Sequence, residues 1–248
     1  MSKVVLVHGA FNELWGPNEL KARWLPALRD GLWHHGVTVS DDDVAVCFYG
    51  DLFRRDPQTD DAAAFAQSRA GVAEMLSKLG DGVGLEALSQ AASEAAFDRT
   101  VDMVTIMTTV PDLWDQVQQR VDAVIDQHTE VVVGHSLGSV ISYAALRKSP
   151  QLNVHTLVTL GSPLGQPSIH GMLHPAITAD TSWPGSVQRW VNVAAVGDHA
   201  AAIHCLADVL DGRIEDVRVD NGHRAHDPEP YLNASVTGAA IAAALTRH

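Results

Sequence analysis

The chain has 248 residues, a 46% hydrophobic content and a formal net charge of −13, which suits one large domain with a sizeable core. That acidity argues against a nucleic acid or an anionic membrane surface as the main partner, because phosphate would be repelled. Two cysteines, Cys47 and Cys205, supply neither a disulfide framework nor a zinc pattern.

Taken in order, Val4 to Val7 is a continuous apolar, β-branched run, as in a strand buried on both faces of a parallel sheet. It ends in His8-Gly9-Ala10-Phe11, where a glycine lets the backbone turn and present N–H groups. The N-terminal run is too short for a signal-peptide core, and no stretch is long enough to span a bilayer. A soluble, cytoplasmic protein without stable membrane insertion is expected. Asn18 to Trp33 has helical spacing, with Leu20, Trp24, Leu25, Leu28 and Leu32 on one stripe and Pro26 as an interruption. Asp41-Asp42-Asp43 is an acidic turn without the glycine and distal glutamate of a calcium loop. Val44 to Tyr49 is the second predicted strand and carries Cys47. Both cysteines read as buried, small apolar groups.

Residues 51–110 break the β/α alternation. Asp60 or Asp61 is placed to cap a helix with Phe65, Val72, Met75, Leu76 and Leu79 on one face. Gly80-Asp81-Gly82-Val83-Gly84 is a breaker cluster. It lacks the preceding strand and following Lys-Ser/Thr of a phosphate loop. A second helix is expected from Leu85 to Phe97, and a third apolar stretch from Val101 to Val110. Inserted helices of this kind suggest a cap above a site.

Pro111 to His128 reads as a sheet-flanking helix, with Leu113, Val117, Val121 and Ile125 on its stripe. Val131-Val132-Val133 then runs into Gly134-His135-Ser136-Leu137-Gly138, and a helical pattern follows at once through Val140, Ile141, Ala144 and Ala145. Strand, tight turn and helix lift the Ser136 hydroxyl to an apex beside a helix N-terminus, which favours developing negative charge. Further strands are predicted at 153–160, 187–196 and 214–219. They are followed respectively by Gly161-Ser162-Pro163, by Gly197-Asp198-His199 with a short alanine-rich helix to Leu206, and by the loop 221–228. A last helix carries Tyr231, Leu232, Val236, Ile241 and Leu245. The repeating β-loop-α order predicts a parallel sheet covered on both faces. In such sheets the chemistry sits at the carboxyl ends of strands, where His8, Ser136, Ser162, Asp198 and His226 all fall.

A serine hydroxyl needs a base, and the base needs a carboxylate partner to fix its tautomer. With His8-Gly9-Ala10, Gly134-His135-Ser136-Leu137-Gly138, Gly161-Ser162-Pro163-Leu164-Gly165, Gly197-Asp198 and the late His226, the chain resembles the α/β-hydrolase family, in its lipase, esterase and PGAP-like branch. The resemblance implies an α/β fold in a single domain. Its minimal, mostly parallel sheet has about six strands, flanked by helices, with a helical cap insertion at 51–110. It implies the triad order Ser136, Asp198, His226 and an oxyanion hole from the N–H groups of Ala10 and Leu137. His223 shares the last loop. The family places its base just before the final helix, which favours His226.

Asp208 and Asp211 are the alternative acids, both in or after a predicted helix. Phe11, Trp15 and His135 are assigned to substrate contact, with packing in the turn beside Ser136 the other reading of His135. Phe11, Leu14, Trp15, Leu137, Met172 and Leu173 are the candidate wall of an acyl pocket, with burial elsewhere an equal reading. His170 and His174 have no glutamate pattern beside them, so no metal site is expected, and no cofactor either. The chain departs from the family by starting at the strand that normally comes third. The implied activity is hydrolysis of a carboxylic ester or lipid-like acyl compound through an acyl-enzyme. Acyl transfer or peptide cleavage by the same triad is the alternative, and a non-catalytic binding protein of this fold the remoter one.

Overall fold

The computed structural model describes residues 2–54, 62–80, 105–106, 109–110, 112–166 and 183–247. Six strands, β1 (Val4–Val7), β2 (Val44–Cys47), β3 (Val131–His135), β4 (Thr156–Leu160), β5 (Arg189–Ala195) and β6 (Glu215–Val219), form one sheet in the order β2-β1-β3-β4-β5-β6. Every pairing is parallel. Among the described residues the α-helices are α1 (Pro17–Trp33), α2 (Ala62–Gly80), α3 (Leu113–Asp122), α4 (Leu137–Lys148), α5 (Pro228–Asn233) and α6 (Ser235–Leu245). This is the α/β architecture, a parallel sheet of six strands flanked by helices, that the sequence predicts.

Side-chain alternation along each strand divides the core in two. Val5, Val132, Leu157 and Trp190 face α3 and α4, where they meet Val117, Val121 and Ile141. Val4, Leu6, Val133, Val158 and Val191 face α1, α5 and α6, against Trp24, Leu28, Leu232 and Ile241. Both faces of the central strands are therefore dry, which is why β1 and Val131 to Val133 of β3 are unbroken apolar runs.

Three expectations are corrected. No helix follows Asp198. Residues 199–210 form turns, because side chains take the backbone groups a helix would have paired. Asp198 accepts the Ala200 N–H, Asp216 accepts those of Leu206 and Ala207, and Asn192 donates to the His204 carbonyl. On these turns Cys205 is only half-buried, whereas Cys47 is buried as expected. The terminal helix is two helices, broken at Ala234 with ψ 133°. Both α5 and α6 pack on α1, and α5 carries Tyr231 to the site. The α1 helix, by contrast, continues through Pro26.

Of the expected cap, residues 51–54, α2 and residues 105–106 and 109–110 are described, and Phe65 packs against the core. Asp60, Asp61, the cluster after Gly80, the helix 85–97, His170, Met172, Leu173 and His174 lie outside the described residues.

Candidate active site

The turn after β3 works because two glycines permit close approach. A Cβ on Gly138 would lie 2.2 Å from the Val7 carbonyl oxygen, and one on Gly134 would lie 2.6 Å from that of Gly138. The first turn of α4 thus sits directly on the end of β1. Ser136 itself has φ 54° and ψ −127°, a conformation that costs a non-glycine residue energy and is kept at functional turns. Its backbone is tied down: its N–H donates to the Leu160 carbonyl, and its carbonyl accepts the Ser139 hydroxyl at 2.6 Å. Ser139 and Ser162, both buried, are bonded at 2.7 Å.

The structure brings Ser136, Asp198 and His226 together from three loops. His226 Nδ1–H donates to Asp198 Oδ1 and Oδ2, at 2.8 and 2.9 Å. That leaves Nε2 as an acceptor for the Ser136 hydroxyl at 3.0 Å. The Asp198 side chain is wholly buried, while that of His226 is 42% exposed. Burial alone would raise the Asp198 pKa. The His226 hydrogen bond and charge and the Tyr231 hydroxyl outweigh it and hold the carboxyl below its ordinary value. The Tyr231 hydroxyl donates to Asp198 Oδ2 at 2.6 Å and accepts the Ala195 N–H at 2.7 Å. Sequence reading placed Tyr231 only on a helix stripe. Its bond to Asp198 spans 33 positions of the chain, a separation that no local pattern carries. His223 sits exposed in the turn Gly222–Arg224. Asp211 is paired with Arg213 at 2.7 Å, away from this cluster.

Two buried histidines brace the site. His135 Nε2–H donates to the His226 carbonyl at 2.8 Å, so it supports His226 from behind. His8 Nδ1–H donates to the Gly9 carbonyl at 2.7 Å, and its Nε2 accepts the Tyr49 N–H. The Tyr49 hydroxyl in turn donates to the His8 carbonyl. Burial pushes the pKa of His135 down to about 3 and that of His8 down to about 4. In both the folded value lies below the unfolded value of about 6.5. Between the two, the unfolded chain binds protons that the folded chain refuses. Stability is therefore full above about pH 6.5 and is lost as the pH falls towards about 4 and then about 3. Urea unfolding at pH 5 should give a free energy lower than at pH 7.5 by about 2 kcal/mol for each histidine. Equal stability at the two values would contradict their burial as neutral rings.

The loop after β1 lies against the serine, since a Cβ on Gly9 would come within 2.7 Å of Ser136 Cβ. Among the described residues no acceptor engages the N–H of Ala10 or Leu137. Both residues line a cavity of about 290 Å³ whose walls include Phe11, Leu14, Phe53 and Ile106. Phe11 is on the wall of this space. Trp15 is not on its described wall; its ring lies under the Arg23 guanidinium, 4.4 Å away. His135 is also off the described wall, being buried behind His226. Among the described residues no group of His, Cys, Asp and Glu is arranged to hold a metal ion. No described helix is long and apolar enough to cross a membrane.

No family model and no curated protein matches the chain. Among solved structures it is similar to an esterase of Pyrobaculum calidifontis, at 12% identity and a TM-score of 0.47, over 99% of this chain and 78% of that one. It is similar to an arylesterase at 12% identity and a TM-score of 0.44, over 98% and 75%. The esterase domain of a Rhodothermus marinus protein aligns at 13% identity and a TM-score of 0.35, over 96% and 84%.

Proposed function

We propose that this protein is a serine hydrolase that cleaves carboxylic esters with an apolar acyl group through an acyl-enzyme on Ser136. The carrying observation is the single imidazole of His226, hydrogen-bonded to Asp198 on one side and to the Ser136 hydroxyl on the other.

His226 Nε2 takes the hydroxyl proton as Ser136 Oγ attacks the carbonyl carbon. The carbonyl oxygen becomes an oxyanion and is met by the N–H groups of Ala10 and Leu137, near the positive end of α4. Asp198 keeps the imidazole in the productive tautomer and stabilises its charged form. The tetrahedral species collapses, the carbon–oxygen ester bond breaks, and His226 returns the proton to the leaving alkoxide. A water molecule, deprotonated by His226, then attacks the acyl-enzyme. The acid leaves and the serine recovers its proton.

The substrate's orientation follows from where the proton must go. The leaving oxygen has to reach His226 Nε2, so the alcohol portion lies on that side. The cavity adjoins the two N–H donors, and His226 is not on its described wall. It therefore takes the acyl portion, and walls such as Phe53 and Leu137 favour hydrocarbon there. Phe53 and Ile106 both belong to the segment 51–110, which supports reading that segment as a cap over the acyl group.

The test is covalent labelling by a fluorophosphonate probe. One equivalent should be incorporated at neutral pH, and Ser136→Ala should take up none. Folded protein that stays unlabelled would overturn the proposal.

A further inference from the structure

Two irregular loops carry this chemistry, and neither has a sheet ladder to fix it. The loop after β1 presents the Ala10 N–H, and the loop after β6 presents His226. A chain of polar contacts runs between them. Asn12 Nδ2 donates to the Gly9 and Ala10 carbonyls, each at 3.0 Å. The Asn12 carbonyl accepts the Trp15 N–H. The Trp15 ring is covered by the guanidinium of Arg23, on α1. Arg23 also donates through Nε and an Nη to Glu229 Oε1, at 3.1 and 2.8 Å. The other Glu229 oxygen accepts Arg224 at 2.8 Å, and Arg224 Nε donates to Asp227 at 2.6 Å. Arg224 and Asp227 flank His226.

We propose that Arg23 and Glu229 are positioning residues. Together they clamp the donor loop and the histidine loop at the separation that the reaction at Ser136 requires. This rests on the hydrolase reading above. Isolated surface ion pairs contribute little. This one differs in geometry, because the Glu229 side chain is only 16% exposed and is gripped by two guanidiniums. Charge-assisted, multiply bonded contacts of this kind are directional as well as attractive. Without them both loops remain attached, but the serine, the base and the oxyanion donors lose their common register. A displacement of about 1 Å costs about a hundredfold in rate.

The test compares Glu229→Gln, Arg23→Met and the double variant in hydrolysis of p-nitrophenyl butyrate and in fluorophosphonate labelling rate. Arg29→Met is the control, since it removes an ion pair to Asp41 from the same helix. Each single variant should lower kcat about ten- to hundredfold with KM nearly unchanged, and slow labelling in parallel. The double variant should be no worse than the poorer single one, because one clamp is broken either way. Arg29→Met should keep the wild-type kcat. Should Glu229→Gln unfold, the partly exposed Arg23→Met still decides the matter. Wild-type turnover in Arg23→Met, multiplying losses in the double variant, or an equal loss in Arg29→Met overturns the clamp. If the wild-type protein itself resists labelling, the hydrolase reading fails and the clamp falls with it. If the wild type is labelled and the variants turn over normally, the clamp alone fails.

Discussion

His226→Gln should reduce ester turnover by about four orders of magnitude or more, with little change in KM and a folded, stable protein. A glutamine amide can still donate towards Asp198, but it cannot accept a proton from Ser136. The loss therefore falls on the chemical step, not on substrate binding. His223→Gln, three residues earlier in an exposed turn, should stay within about twofold of wild type, as surface substitutions do. Steady-state kinetics on both variants checks the pair of outcomes. Equal losses would remove His226 from its proposed role. A large loss confined to His223→Gln would transfer the role to that residue.

Gly161→Ala should damage both stability and activity, although position 161 holds no reactive group. Gly161 has φ +55°, and a Cβ there would lie 2.6 Å from Asp198 Oδ2 and 3.2 Å from His226 Nδ1. The left-handed backbone alone costs an alanine about 1–2 kcal/mol. The clash adds to it, because the Asp198 carboxylate is also held by Tyr231 and cannot simply step aside. Displacing it loosens His226, and kcat should fall about a hundredfold. Thermal unfolding together with kcat measures both effects. Wild-type kcat in a destabilised Gly161→Ala would mean that the carboxylate's placement does not govern turnover.

These residues also mark how far local pattern carries. Strands β1 and β3 were legible because both faces are buried and the runs are apolar without a break. The turn at Ser136 was legible because Gly134 and Gly138 mark a backbone crossing that no larger residue allows. The alanine-rich stretch after Asp198 misled. Its propensity is helical, but the distant side chains of Asn192 and Asp216 satisfy its backbone in turns, and no window of sequence contains both partners. Trp15 lies beneath Arg23, and His135 donates to the His226 carbonyl, 91 positions away in the chain.

By itself the sequence determined the parallel sheet, the order of its elements and which residues arrive at its carboxyl edge. Those features follow from hydrophobic period, glycine placement and chain direction, all of which are local. Only the tertiary structure decided that His226, not His223, bonds Ser136 and Asp198, and that Tyr231 holds the carboxylate. It also decided that Arg23 and Glu229 join the two loops. The physical reason is distance along the chain. Arg23 and Glu229 are separated by 206 positions, and Tyr231 reaches Asp198 across 33. Contacts of that span are set by how helices α1 and α5 pack on the sheet, which no local pattern encodes.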